Sequence, residues 1–148
     1  MGRAAVAKSS GHSGARRGQL PVLAAVAVGG SLGACARFAA ALLWPTDASQ
    51  FPWTTLGVNA VGCLVIGVFL VAITEVWAPH PLLRPFFATG VLGGFTTFST
   101  YCADIERLVR LGRPGPALLY LAGTVVVALG AAAIGMAGTR LLLVRRGS

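Results

Sequence analysis

The residues of this 148-residue chain best equipped for chemistry lie in one run, Gly93-Gly94-Phe95-Thr96-Thr97-Phe98-Ser99-Thr100-Tyr101, set inside an apolar stretch. Two glycines allow unusual backbone and close approach. Hydroxyls offer donors to backbone or to a ligand. Irregular backbone at membrane depth survives only where it is buried in protein or lines a wet cavity. The run therefore predicts the functional centre of a small membrane transport protein.

Few other polar groups accompany it. Asn59 is the sole amide inside an apolar segment, and it has two readings: an interhelical hydrogen bond or a donor lining a pore. Arg37 is the sole basic residue within an otherwise apolar span. Its default reading is snorkelling to the interface, and its rival is an anion-attracting charge in a vestibule. Asp104 and Glu106 follow the motif and are placed to pair locally with Arg107 and Arg110. No carboxylate falls deep in a span, which favours passive conduction over proton coupling. It also argues against the four-span multidrug exporters, which rely on an acid in the first span. Cys35, Cys63 and Cys102 lack metal or redox spacing and read as small hydrophobes. His12 lies in a polar tail and His80 in a short loop. With no nucleophile–base pair or metal cluster, an enzyme is not expected.

The elements that must position these groups follow from charge and hydropathy. The chain is 55% hydrophobic and 11% charged, with mean hydropathy +0.77, against about a quarter charged for a soluble domain. Residues 18–36, 48–74, 85–103 and 114–139 carry no Asp, Glu, Lys or Arg, and each gap can host a span of roughly 20 residues. The expected fold is an all-α membrane protein with four spans, at about 20–44, 53–76, 83–111 and 117–144, the third broken near Gly93-Gly94. A basic tail at 1–19 is expected to lack structure, and 145–148 forms a short basic end. Trp53 and Trp77 read as interfacial anchors, Pro79 and Pro81 as a turn, and Gly112–Pro116 as another.

Two features have plainer readings than they invite. The net charge of +8 belongs to span flanks, not to nucleic-acid binding. Arg16-Arg17, an apolar run and Leu32-Gly33-Ala34-Cys35 have the form of a lipoprotein signal, but the apolar run continues past Cys35 and three more spans follow. Glycines 29, 30, 33, 57, 62, 67, 123, 130, 135 and 138 read as close helix packing.

The run at 93–101 resembles the signature of the Fluc (CrcB) fluoride channels. Gly29-Gly30-Ser31-Leu32-Gly33 with Arg37, and Phe51-Pro52-Trp53-Thr54-Thr55-Leu56-Gly57-Val58-Asn59-Ala60-Val61-Gly62, are similar to the same family's pattern. The likeness extends from about Gly29 to Gly138. It implies a passive, fluoride-exporting channel in the bacterial cytoplasmic membrane, built as an antiparallel dual-topology dimer with two narrow pores. It also implies a central structural sodium ion held by the backbone carbonyls of Gly93 and Thr96 from each subunit. The pore phenylalanines fall on Phe98 and Tyr101 and the pore asparagine on Asn59. Tyr120 and Thr124 form the polar face of the fourth span, Ser99 and Thr100 extend the hydroxyl track, and Arg37 is the vestibule charge. Tyr101 stands where the family commonly has phenylalanine, and Ala128 where a hydroxyl is frequent.

The residue types agree with that chemistry. Fluoride holds water strongly, so a pore must replace hydration without trapping the ion. Hydroxyl and amide donors do this, whereas a buried Lys or Arg would hold it too tightly. Aromatic edges are weakly positive. Oxygens suit a hard cation. With the N-terminus inside, eight basic residues (Arg3, Lys8, Arg16, Arg17, Arg84, Arg140, Arg145, Arg146) face the cytoplasm against four opposite (Arg37, Arg107, Arg110, Arg113). That lean leaves both a homodimer, the favoured form, and a heterodimer with a paralogue open. A proton-coupled exporter or a non-conducting subunit are the functional alternatives.

Overall fold

The computed structural model describes residues 12–47, 49–76 and 80–146. Trp77, Pro79, residues 1–11 of the basic tail and the last two residues lie outside them. Every regular element among the described residues is helical. Helix α1 runs His12–Leu43, and α2 runs Trp53–Val71, ending in a wider π-helical turn at Ala72–Val76. The next element, α3, is π-helical over Pro85–Leu92 and α-helical over Gly93–Phe95. Helix α4 is Ser99–Arg110, and α5 is Pro114–Arg146.

Three stretches are long and apolar enough to cross a bilayer: Gln19–Leu43, Trp53–Glu75 and Pro114–Leu143. They match three of the expected spans to within a few residues. At 33 residues, α5 is about 50 Å long, ample for a hydrocarbon core of about 30 Å. Leu20, Leu23, Leu32, Phe38, Leu118, Leu129, Ile134 and Leu141 are all exposed. An apolar surface of this extent needs lipid or protein against it.

Packing joins α2 to α5 and α1 to α3. The reason lies in small residues at matched heights. A Cβ on Gly33 would run into the Val91 carbonyl, and one on Gly29 into that of Phe86. Gly67 and Gly135 lie in the same way against the Ala132 and Leu64 carbonyls. Among the described residues, Gly57, Gly123, Gly130 and Gly138 have no neighbour within 4 Å of where a Cβ would stand.

Helix α4 ends in a Schellman turn. Gly112 adopts φ +68°, its N–H reaches the Val109 carbonyl, and the Arg113 N–H reaches that of Leu108, both at 2.9 Å. This places a left-handed glycine where such a turn requires one. Prolines 114 and 116 then open α5, where missing N–H groups cost nothing. Arg113 also bonds the Ser49 carbonyl, tying this turn to the α1–α2 connection. At the other end Glu75 and Arg140 pair at 2.9 Å between α2 and α5.

Candidate functional site

The helical path between α3 and α4 is interrupted at Thr96–Phe98, where Thr96 is extended (φ −73°, ψ 159°). Gly93 and Gly94 are themselves helical. Asn59 explains the position of the departure. The Thr97 N–H donates to Asn59 Oδ1 at 2.8 Å, and Asn59 Nδ2 donates to the Thr97 carbonyl at 3.0 Å. This two-point grip replaces helical bonding at Thr97, and only one orientation of the amide satisfies it. One Nδ2 proton remains beyond the bond to Thr97.

Each flank of the interruption is capped. Thr96 Oγ1 donates to the Leu92 carbonyl at 2.9 Å. Arg37 Nε donates to the Gly94 carbonyl at 3.2 Å, placing positive charge where a helix C-terminus is negative. Thr97 Oγ1 accepts from the Thr100 N–H at 3.1 Å, as an N-terminal cap of α4 does, and donates to Thr100 Oγ1 at 2.9 Å. Ser99 is exposed, its hydroxyl 3.3 Å from that of Thr97.

Two cavities flank Thr97. One, of about 250 Å³, is lined by Arg37, Thr54, Thr55, Thr97 and Thr100 among others. The second, of about 320 Å³, is lined by Asn59, Thr96, Thr97, Phe98, Tyr101 and Thr124, with Ala128 beside them. Among the described residues, no charged one lines the second cavity. Thr124 Oγ1 is buried and has no hydrogen-bond partner among the described residues, so its donor is free. Phe98 is 76% exposed and lies 5.7 Å, centroid to centroid, from the Tyr101 ring. The Tyr101 hydroxyl donates to the Leu121 carbonyl at 2.8 Å. The phenol is thus a strut between α4 and α5, not a free donor.

Tyr120 is fully buried and lines neither of these cavities. Its ring packs 5.3 Å from that of Tyr101, and its hydroxyl faces Asp104 Oδ2 at 3.4 Å. Thr55 Oγ1 donates to the same oxygen at 2.8 Å. Asp104 pairs with Arg107, and Glu106 with Arg110, as their spacing suggests. Asp104 is buried, 8% exposed beside Thr55 and Tyr120, which its expected local pairing with Arg107 leaves open. The signal existed: Tyr101, Asp104 and Leu108 share the buried stripe of α4.

Among the described residues no backbone N–H reaches the carbonyls of Gly93 or Thr96. Asn59 holds the Thr97 N–H that would otherwise bond Gly93, and Gly93 faces away from the rest of the chain. Unbonded carbonyl oxygens are a donor set that fits a hard cation such as sodium.

Residues 24–136 match the family described as CrcB-like protein, Camphor Resistance (CrcB), a span that contains every site residue above. The chain belongs to the CrcB family. Fluoride-specific ion channel FluC 2 of Streptomyces avermitilis is 66% identical over 107 residues, covering 72% of this chain and 68% of that protein. FluC 1 of Streptomyces coelicolor is 61% identical over 127 residues, covering 86% and 80%. FluC 2 of Nocardia farcinica is 48% identical over 119 residues, covering 80% and 85%. As a CrcB protein with three long apolar helices, the chain is a multi-pass membrane protein.

Proposed function

We propose that this chain is a passive, fluoride-selective channel that lets fluoride leave the cell, not an enzyme. The observation that carries the reading is the second cavity, beside an interrupted backbone, where Asn59, Thr96, Thr97, Thr124 and the rings of Phe98 and Tyr101 join apolar residues with no charged side chain among the described ones. The names of the curated relatives agree with it. A dehydrated fluoride meets the free Thr124 hydroxyl, the remaining Asn59 N–H, and the edges of Phe98 and Tyr101. These neutral groups replace water without the trap that a fixed ammonium or guanidinium would set. The N-terminus of α4 adds partial positive charge, and Arg37 draws anions to the neighbouring cavity.

The finer architecture belongs to the same proposal. Segments α3 and α4 together make a fourth span, interrupted at mid-depth, in a protein of the bacterial cytoplasmic membrane. A second copy inserted in the opposite sense completes each pore. Three features support it: Phe98 is exposed, Gly93 faces outward, and Gly123 and Gly130 meet nothing among the described residues. Gly93 and Thr96 of both copies would hold a sodium ion, which supplies a fixed positive charge joining the two interruptions.

The test is passive fluoride release from proteoliposomes containing the purified chain, followed with a fluoride electrode, with chloride release measured in parallel. The expected result is fluoride release with little chloride and no need for a proton gradient. Release only under a proton gradient would replace the channel with a coupled exporter. A second reading is a heterodimer. S. avermitilis contributes two of the relatives, FluC 2 and FluC 3, and the eight-to-four charge lean described above favours one orientation. Release that appears only after co-reconstitution with a paralogue would select it.

A further inference from the structure

Asp104 poses a problem for an anion channel: it is a carboxylate 8% exposed, in contact with Tyr120 and Thr55 beside the proposed route. Its negative charge in a low-dielectric setting would repel fluoride. The structure places Arg107 against it. Arg107 Nη2 lies 2.9 Å from Asp104 Oδ1, while Oδ2 accepts from Thr55. A third cavity, of about 270 Å³, adjoins the pair and is lined by Thr46, Thr54, Thr55, Asp104 and Arg107 among others. Arg107 Nε and Nη2 are buried and have no hydrogen-bond partner among the described residues. The Nη2 contact is thus close in distance, but its N–H bonds are not aimed at the carboxylate.

We infer that Arg107 is a charge-compensating residue at the mouth of the fluoride route: its guanidinium cancels Asp104 beside the third cavity, which both residues line and where an arriving anion is first held. This rests on the channel reading above. An ordinary i,i+3 surface pair would contribute little. This pair differs because the carboxylate is buried and two guanidinium nitrogens, Nε and Nη2, are buried although the Arg107 side chain is 31% exposed, so removing one partner strands a charge. Stranded Asp104 repels fluoride, and stranded Arg107 binds it too firmly. Either single neutralisation slows conduction, and joint neutralisation relieves both faults.

The experiment compares initial fluoride efflux from proteoliposomes for wild type, R107Q, R107K, D104N and the double variant D104N/R107Q, with the melting temperature of each recorded. R107Q and D104N are expected to lose about tenfold in rate. R107K, which keeps the charge without the planar fork, recovers most of the loss seen in R107Q, and the double variant recovers to within about threefold of wild type. A hydrogen-bonding strut would instead make R107K as poor as R107Q, which would overturn the inference. Wild-type rates in R107Q, or a double variant as slow as either single, would overturn it too. Should R107Q fail to fold, R107K is read against wild type and the double variant against D104N: R107K as slow as D104N, or a double variant no faster than D104N, would overturn the inference. A wild-type chain that passes no fluoride, alone or with a paralogue, removes the channel reading and this inference with it. Fluoride flux in wild type combined with any of the contrary variant results removes only the inference.

Discussion

Asn59 and Thr124 divide the work at the site between holding backbone and offering a donor. Asn59 grips the Thr97 peptide from both sides, so replacing it leaves two backbone groups unpaired, at about 1–3 kcal/mol each. Asn59→Asp keeps the acceptor and loses the donor. It is expected to lower thermal stability and abolish fluoride efflux together. Thr124 carries the opposite signature. Its hydroxyl is buried without a partner, so Thr124→Val removes an unsatisfied polar group. The melting temperature should hold or rise while fluoride efflux falls; a fall in both would assign Thr124 to the fold. Tyr101→Phe removes a bond to Leu121, worth about 0.6 kcal/mol in a membrane setting, and should leave efflux within about twofold of wild type. The two readings of Asn59 could not be separated in the sequence because amide type says nothing of what an amide faces. The structure gives it the interhelical bond and leaves one proton over.

At the scale of elements, apolar length was legible: three charge-free gaps became three long helices. The position of the interruption was not. Gly93-Gly94 looks like the weak point, since glycine disfavours helix, but both remain helical. The chain departs where Asn59, 38 residues away in sequence, captures Thr97. A tertiary bond decided what local propensity could not. The burial of Asp104 escaped for a related reason: pairing with Arg107 is legible in the spacing, while the stripe it shares with Tyr101 and Leu108 takes effect only once α4 packs on α5. Two substitutions check the packing. Gly33→Val would drive a side chain into the Val91 carbonyl, separating α1 from α3, and should yield little folded protein. Gly112→Ala must hold φ +68° with a Cβ present, and should lower unfolding free energy by about 1–2 kcal/mol without changing efflux.

At the scale of the whole molecule, the described residues bury little and expose much apolar surface. Its buried apolar side chains are few, whereas leucines and valines cover the outside of α1 and α5. Lipid accounts for much of that surface. Three further features of the described residues are glycines with no neighbour, a Gly93 carbonyl that no described backbone N–H reaches, and an exposed phenylalanine at the second cavity. The inverted second copy proposed above would cover all three. Phe98 offers the sharpest separation of folding from function, because a ring 76% exposed contributes little to the stability of its own chain. The deciding measurement is initial fluoride efflux from proteoliposomes of wild type and Phe98→Ile at matched protein content, with both melting temperatures recorded. Fluoride release from wild type and its loss in Phe98→Ile, at unchanged melting temperature, is the result predicted. Equal release from the two would contradict an anion route past that ring.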